Sequence, residues 1–230
     1  MRHRSERINW LGSMAAGLSG LFVLVVALAT FAQAPLRPND QNLITAAGRG
    51  DLAGVEAALV RGARVDAADA AGTTALIAAA YGNHIAVARR LIALGADVNR
   101  KDRSIQSAYL IATSEGREEL LDLTLAAGAD VKSLDSYNGT GLIRAADRGH
   151  VGIVRRLLAT AIDKDHVNRL GWTALLEAVT LGNGGPNHTE VVRLLVEAGA
   201  NRDIKDPAGK TALDLAREKQ QTAIVRILEK

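Results

Sequence analysis

His84, His150 and His188 are the residues of this chain best suited to hold a metal ion or carry a proton. His84 and His150 lie 66 residues apart, and His188 follows 38 residues later. A zinc site needs each ligand within about 2.1 Å of one ion. The stretch "DKDH" (163–166) puts two carboxylates and an imidazole close together, but it lacks the glycine and distal glutamate of an EF-hand loop. "GNGGP" (182–186) is rich in glycine, yet no Lys-Ser/Thr follows it as a phosphate loop requires. The chain has no cysteine. That excludes disulfides, thiolate metal sites and a cysteine nucleophile.

Whether any of these groups can meet depends on the elements that carry them. Those elements repeat. Thr74, Ser107, Thr140 and Thr173 are spaced by 33 residues, and Thr211 follows after 38. Gly62, Gly95 and Gly128 keep the same spacing of 33. The five extra residues before Thr211 must be inserted near "GNGGP". A fixed period of this size signals a stacked repeat architecture. In each unit a Ser or Thr precedes an apolar stretch such as "ALIAAAY" (75–81), where its hydroxyl can cap a helix. A break at Asn83-His84 follows. "IAVARRLIAL" (85–94) then sets Ile85, Ala88, Leu91 and Ile92 on one helical face. Gly95 stands where a helix end favours a left-handed residue. The polar "ADVNRKDRS" turn, with Asp and Asn suited to local backbone bonding, leads to the next unit. Helices this short need neighbours to be stable, which is why the unit recurs.

The repeat decides the chemistry. Equivalent positions in successive units sit about 8–10 Å apart, the distance between packed helices. The three histidines share one repeat position, so they cannot converge on an ion; a structural role is expected. The Ser/Thr residues open first helices and the histidines open second helices, so no catalytic constellation forms. "DKDH" is read as a solvated turn or a weak cation site, and 182–186 as an inserted flexible loop.

The motifs "TALI" (74–77), "TGLI" (140–143), "TALL" (173–176) and "TALD" (211–214), the break in "RGHVGIVRRLL" (148–158) and the "GADVN" ends together resemble the ankyrin-repeat family. The resemblance implies an all-α solenoid of six helix-turn-helix units with projecting β-turn or hairpin tips. Its expected units are 39–69, 70–102, 103–135, 136–168, 169–206 and 207–230. The family's Thr-Pro-Leu-His proline is replaced by Ala75, Ala108, Gly141, Ala174 and Ala212, which removes some pre-organisation of the first helical turn. Ala161 stands where glycine is expected, so its turn is expected to be reshaped.

Protein binding without catalysis and without a cofactor is what the resemblance implies. The partner is another protein, of unstated identity, held on the concave face. The contact candidates at the family's variable, groove-facing positions are Tyr81, Arg103, Gln106, Tyr137, Arg148, Arg169, Trp172 and Lys210. Tyr109 falls at a leucine position and is expected in the core. Trp172 has two readings, as an interface anchor or as a packing residue just before its Thr. A sensor of a small ligand or cation at 159–168 or 182–186, and a membrane-tethered spacer, are the alternatives.

The N-terminus differs from the repeats. Arg2, Arg4 and Arg7 precede an uncharged run from Ile8 to Leu36, densest at "LFVLVVALA" (21–29). A basic start, a short apolar block and small residues in A-x-A spacing make residues 1–34 a secretory signal, with 35–38 a linker. An uncleaved anchor is the rival reading, since about 20 apolar residues can span a bilayer. Either way the repeats are exported, to the periplasm or beyond, or held on the outer side of the inner membrane. Residues 1–34 hold three of the 28 basic and one of the 25 acidic residues, which leaves 25 against 24. That balance excludes nucleic acid as the expected partner, and the membrane is contacted only through an uncleaved N-terminus. The processed chain is expected to start between Thr30 and Pro35. N-terminal sequencing of the exported form checks this, and an intact Met1 in the membrane fraction means anchoring.

Overall fold

The computed structural model describes residues 36–230. The export segment and its candidate cleavage sites lie outside the described residues. Every Ser or Thr expected to open a unit caps a helix. The hydroxyls of Thr74, Ser107, Thr140, Thr173 and Thr211 accept from the amides of Ile77, Leu110, Ile143, Leu176 and Asp214 at 3.2–3.4 Å. Each such cap stabilises a helix by about 1 kcal/mol. Twelve helices are found among the described residues. The first six are α1 (Pro38–Gly48), α2 (Leu52–Val60), α3 (Ala75–Tyr81), α4 (Ile85–Ala93), α5 (Ala108–Ser114) and α6 (Glu118–Ala126). Then come α7 (Gly141–Asp147), α8 (Val151–Leu158), α9 (Ala174–Thr180), α10 (Pro186–Glu197), α11 (Ala212–Glu218) and α12 (Thr222–Leu228).

The helices pair in chain order into the six expected units. Odd-numbered helices pack on one another in one row and even-numbered helices in a second. The odd row, which packs the more closely over the first four units, is the inner row, and the even row is the outer. Leu76, Ile77, Leu142, Ile143, Leu175 and Leu176 of the inner row are almost fully buried, as are Leu91, Leu120, Leu157 and Leu195 of the outer row. On α4 the buried face is Val87, Ala88 and Leu91, with Ile85 and Ile92 half-buried at its edges. Tyr109 is fully buried, as expected. Its hydroxyl fills the space that a Cβ on residue 141 would need, which accounts for Gly141 where other units carry alanine.

Side chains join each unit to the one before it. His84, His150 and His188 each bring Nε2 to a backbone carbonyl at the end of the preceding inner helix: Gly48 (3.1 Å), Ser114 (3.0 Å) and Asp147 (2.9 Å). A carbonyl only accepts, so Nε2 carries the proton. Gln221 takes this role in the last unit, donating to the carbonyls of Val179 and Gly182. The five inserted residues add a turn to the start of α10, with Pro186 at its first position. His188 therefore lies inside a helix whereas His84 and His150 cap theirs.

The "ADVN" turn does more than local bonding. Asp97, Asp130, Asp163 and Asn201 accept from the amide two residues on. Asp66, Asn99 and Asp165 also accept from the turn of the next unit, at the amides of Asp97, Asp130 and Asn201. At the tips the same device recurs. One oxygen of Asp69, Asp102, Asp135, Asn168 and Asp206 accepts from the amides two and four residues on. Single antiparallel bridges at Ala68–Thr74 and Leu134–Thr140 are all the β-structure of the tips.

One boundary needs correction. Residues 36–38 are not linker. Leu36 packs on the core, Arg37 caps α1 and Pro38 opens it. The first unit, which has no Thr start, is closed instead by the buried Asp40. Its carboxylate accepts from the Arg37 amide and from the amide and guanidinium of Arg64. Burial alone would raise its pKa, but these bonds hold it far below the ordinary carboxylate range. One unit, 103–135, concentrates strain. The tip position that is Gly72, Gly171 and Gly209 elsewhere is Ile105 there, at φ +62°. In the same unit Tyr109 Oη and Arg117 Nε are buried without a hydrogen-bond partner.

The turn at Ala161 is reshaped as expected. Gly95 and Gly128 end α4 and α6 at φ +84°. Ala161 is not left-handed; α8 stops early, and the Thr160 hydroxyl donates to Leu157 O and accepts from the Ile162 amide. Gly95→Ala should therefore cost about 1 kcal/mol although no atom lies near its Cβ position. Ala161→Gly should give no gain and a slight loss through the unfolded state. Urea melts of the two variants check both.

Candidate functional site

The inner row ends in the tips, and this face carries more than half of the exposed apolar groups. Nine large hydrophobic residues stand out in solvent among the described residues, and Tyr81, Ile105, Tyr137, Leu170 and Leu181 are at tips or inner-helix ends. Tyr137 and Leu170 occupy equivalent tip positions: each amide donates to the tip Asx side chain two residues before it, Asp135 and Asn168. The two tips are tied by the Arg169 amide donating to Tyr137 O at 2.8 Å. Between them and α7 and α9 lies a cavity of about 430 Å³. Its walls include Tyr137, Leu170, Ile143 and Leu181, and its charged groups are Asp135, Arg144, Asp147 and Glu177.

The polar floor has a logic of its own. Arg144 and Glu177 sit four residues after the capping Thr of their units, where Ala78, Ile111 and Leu215 stand elsewhere. In each unit this side chain meets its own tip. Arg144 Nε lies 3.4 Å from Asp135, and Asn168 Nδ2 donates to Glu177 Oε1 at 2.8 Å. The partners have exchanged polarity, which accounts for asparagine at the one tip where a second carboxylate would face Glu177. Arg144 also approaches Asp147 at 3.7 Å. Glu177 Oε2 is buried and has no hydrogen-bond partner. Burial, opposed by the Asn168 bond and the Arg144 charge and reinforced by the nearby carboxylates of Asp147 and Asp135, raises the Glu177 pKa to about 7.

The eight expected contact residues divide. Tyr137 lines the cavity. Tyr81 is exposed on the same face, and its hydroxyl donates to Asp102 at 3.2 Å; burial and that carboxylate push its pKa up to about 12. Arg103 and Arg169 are exposed at tips, and both amides tie a tip to the preceding one. Arg148 is exposed but spans two units, donating to Ser114 O and Glu115. Lys210 pairs with Glu218, and Gln106 is half-buried, its backbone bonded to Asp102. Trp172 does not stand exposed beside Tyr137, as its reading as an anchor would have it. Instead it is half-buried against the core, because the residue equivalent to Tyr137 is Leu170 and the one equivalent to Trp172 is Gly139.

The alternative cation sites are held in structural bonds. Asp163 accepts from Asp165, Asp165 from Asn201, and His166 Nε2 donates to Asn138 O. Among the described residues no three His, Asp or Glu side chains are grouped to hold a metal. In the 182–186 loop, Asn183 accepts from the Gly185 amide and the Gly182 carbonyl accepts from Gln221.

A family model described as "Ankyrin repeats (3 copies)" matches residues 14–103 and 109–206. An ankyrin repeat domain from Acinetobacter baumannii AYE is similar at 45% identity and a TM-score of 0.78, over 81% of this chain and 95% of its own. EF0377, an ankyrin repeat protein, shares 38% identity at a TM-score of 0.79, over 83% of this chain and 98% of its own. A chain of the complex between predatory endopeptidase Bd0816 from Bdellovibrio bacteriovorus and immunity protein Bd3460 shares 26% identity at a TM-score of 0.71, over 82% and 97%. No curated protein matches significantly.

Glu177 makes stability depend on pH. Its ordinary pKa is 4.5 and its folded value is about 7, so the folded state binds the extra proton between these values. Stability therefore falls as pH rises from 4.5 through 7, and the full penalty stands above that range. Glu177→Gln keeps an acceptor for Asn168 and removes the charge. It should stabilise the fold by about 2–3 kcal/mol at pH 8 and by little at pH 4.5. Thermal melts across this range check the sign.

Proposed function

The chain belongs to the ankyrin-repeat family, and on that premise we propose that it is a scaffold or inhibitor that binds another protein outside the cytoplasm through the inner face of its stack. Ankyrin repeats mediate protein–protein interaction, and the family is in general non-catalytic. The observation that carries the proposal is the placement of exposed apolar side chains. Tyr81, Tyr137, Leu170 and Leu181 are each about half exposed on one face. An exposed Tyr flanked by apolar groups is a favoured interface anchor.

The inhibitor reading draws on the similar complex, in which an immunity protein is bound to an endopeptidase. Export rests on the N-terminal sequence, and no helix among the described residues is long and apolar enough to cross a membrane. The sensor reading gains nothing from the structure, since its candidate side chains are already bonded. Immobilised full-length chain incubated with the exported protein fraction tests the proposal. Saturable retention of a defined partner supports it; retention of none opposes it.

The anchors are separable from the packing residues. Tyr137→Ala and Leu170→Ala should each weaken partner binding by about 30-fold, the effect of a hot spot of about 2 kcal/mol. Both should leave the thermal midpoint nearly unchanged. Trp172→Ala should lower the midpoint instead, because its ring packs on the core. Binding titrations and melts on the same three variants decide.

A further inference from the structure

We propose that the cavity between the fourth and fifth units receives one basic side chain, lysine or arginine, from the protein partner. The inference rests on the protein-binding reading above and names the chemistry of one contact in it. Three carboxylates, those of Asp135, Asp147 and Glu177, line the cavity with a single cation, Arg144. Arg144 is already shared between Asp135 and Asp147, at 3.4 and 3.7 Å. Glu177 feels the charge of that shared Arg144 but has no ion pair of its own. It is 5% exposed, and its Oε2 has no hydrogen-bond partner, an arrangement that costs free energy in the unbound chain. The cavity is therefore short of positive charge.

Its entrance fits the rest of such a side chain. Tyr137 and Leu170 are about half exposed at the rim. An alkyl stem can lie along them while its charged head goes inward, and the Tyr137 ring offers a face to a cation. An acidic or phosphorylated group would meet the same three carboxylates and be repelled. A charge-assisted bond to the head group would give Glu177 Oε2 its missing partner. The charged groups facing Glu177 are Arg144 and Asp147 from α7 and Asp135 from the tip; α10 and α11 add no charged lining residue. Burial keeps Glu177 partly protonated near neutrality, with a pKa of about 7. A basic head group is then bound more tightly as the pH rises and Glu177 ionises.

Amide chemical shifts of the full-length chain, titrated with n-butylguanidinium, n-butylammonium and butyrate, test this. The two cations should give saturable shifts at Tyr137, Gly139 and Leu170, and butyrate none. Glu177→Gln, which keeps the Asn168 bond and so the fold, should weaken cation binding about tenfold or more at pH 8. For the parent chain, affinity should fall about tenfold between pH 8 and pH 6. Equal shifts with butyrate, or cation binding indifferent to Glu177→Gln, would overturn the inference. So would a protein partner that binds the two chains equally well, which leaves the protein-binding reading standing. Cation binding as expected, with no protein retained, sustains the pocket's chemistry and sinks that reading.

Discussion

A helix of seven residues has almost no interior. Its first four amides and last four carbonyls lack intrahelical partners, so nearly every residue is an end. Most inner helices of this chain, α3 to α11, have seven residues. The structure depends on how those ends are closed. Thr or Ser hydroxyls close the first turn, the histidines and Gln221 reach carbonyls of the preceding unit's inner helix, and Asp or Asn side chains fold the tips. Hydrophobic burial supplies the bulk of the driving force. The end groups decide where one unit stops and the next begins.

This is also why so much of the fold was legible in the sequence. End groups are specific residue types at fixed spacing, and a period repeats the message. The caps at Thr74 and Ser107, the glycine at Gly95 and the reshaped turn at Ala161 could all be placed by counting. The bonds between units could not. Counting aligns Asp66 with Asn99 and sets Asp97 apart, but it does not say that the first pair reaches the next turn while Asp97 folds its own. The closure of the first unit by Asp40 was missed for the same reason, since its partner Arg64 lies 24 residues away.

The candidate site was legible only in part. Aromatic residue type led to Tyr137 and Tyr81 on the expected face. It left Trp172 with two readings, because register at a tip depends on the Asx turn and not on distance from the preceding helix. A signal for the floor was present in the sequence. Charged Arg144 and Glu177 break an apolar column, and Asn168 breaks a column of aspartates. Two departures that explain each other indicate a built pair. Glu177 also shows stability given up at the place where binding is proposed, since the charge that burdens the unbound fold is the one a ligand would complete.

In a stack where each unit touches only its neighbours, cohesion is set link by link. The unit 103–135 brings a β-branched residue at positive φ together with two orphaned polar groups, and Arg117 stands where its neighbours place the joining histidine. These costs fall near the middle of the chain, away from the ends where a solenoid ordinarily frays. The consequence is mechanical. Under heat or pulling, the link through 103–135 is expected to be among the first to open, ahead of the ends of the stack.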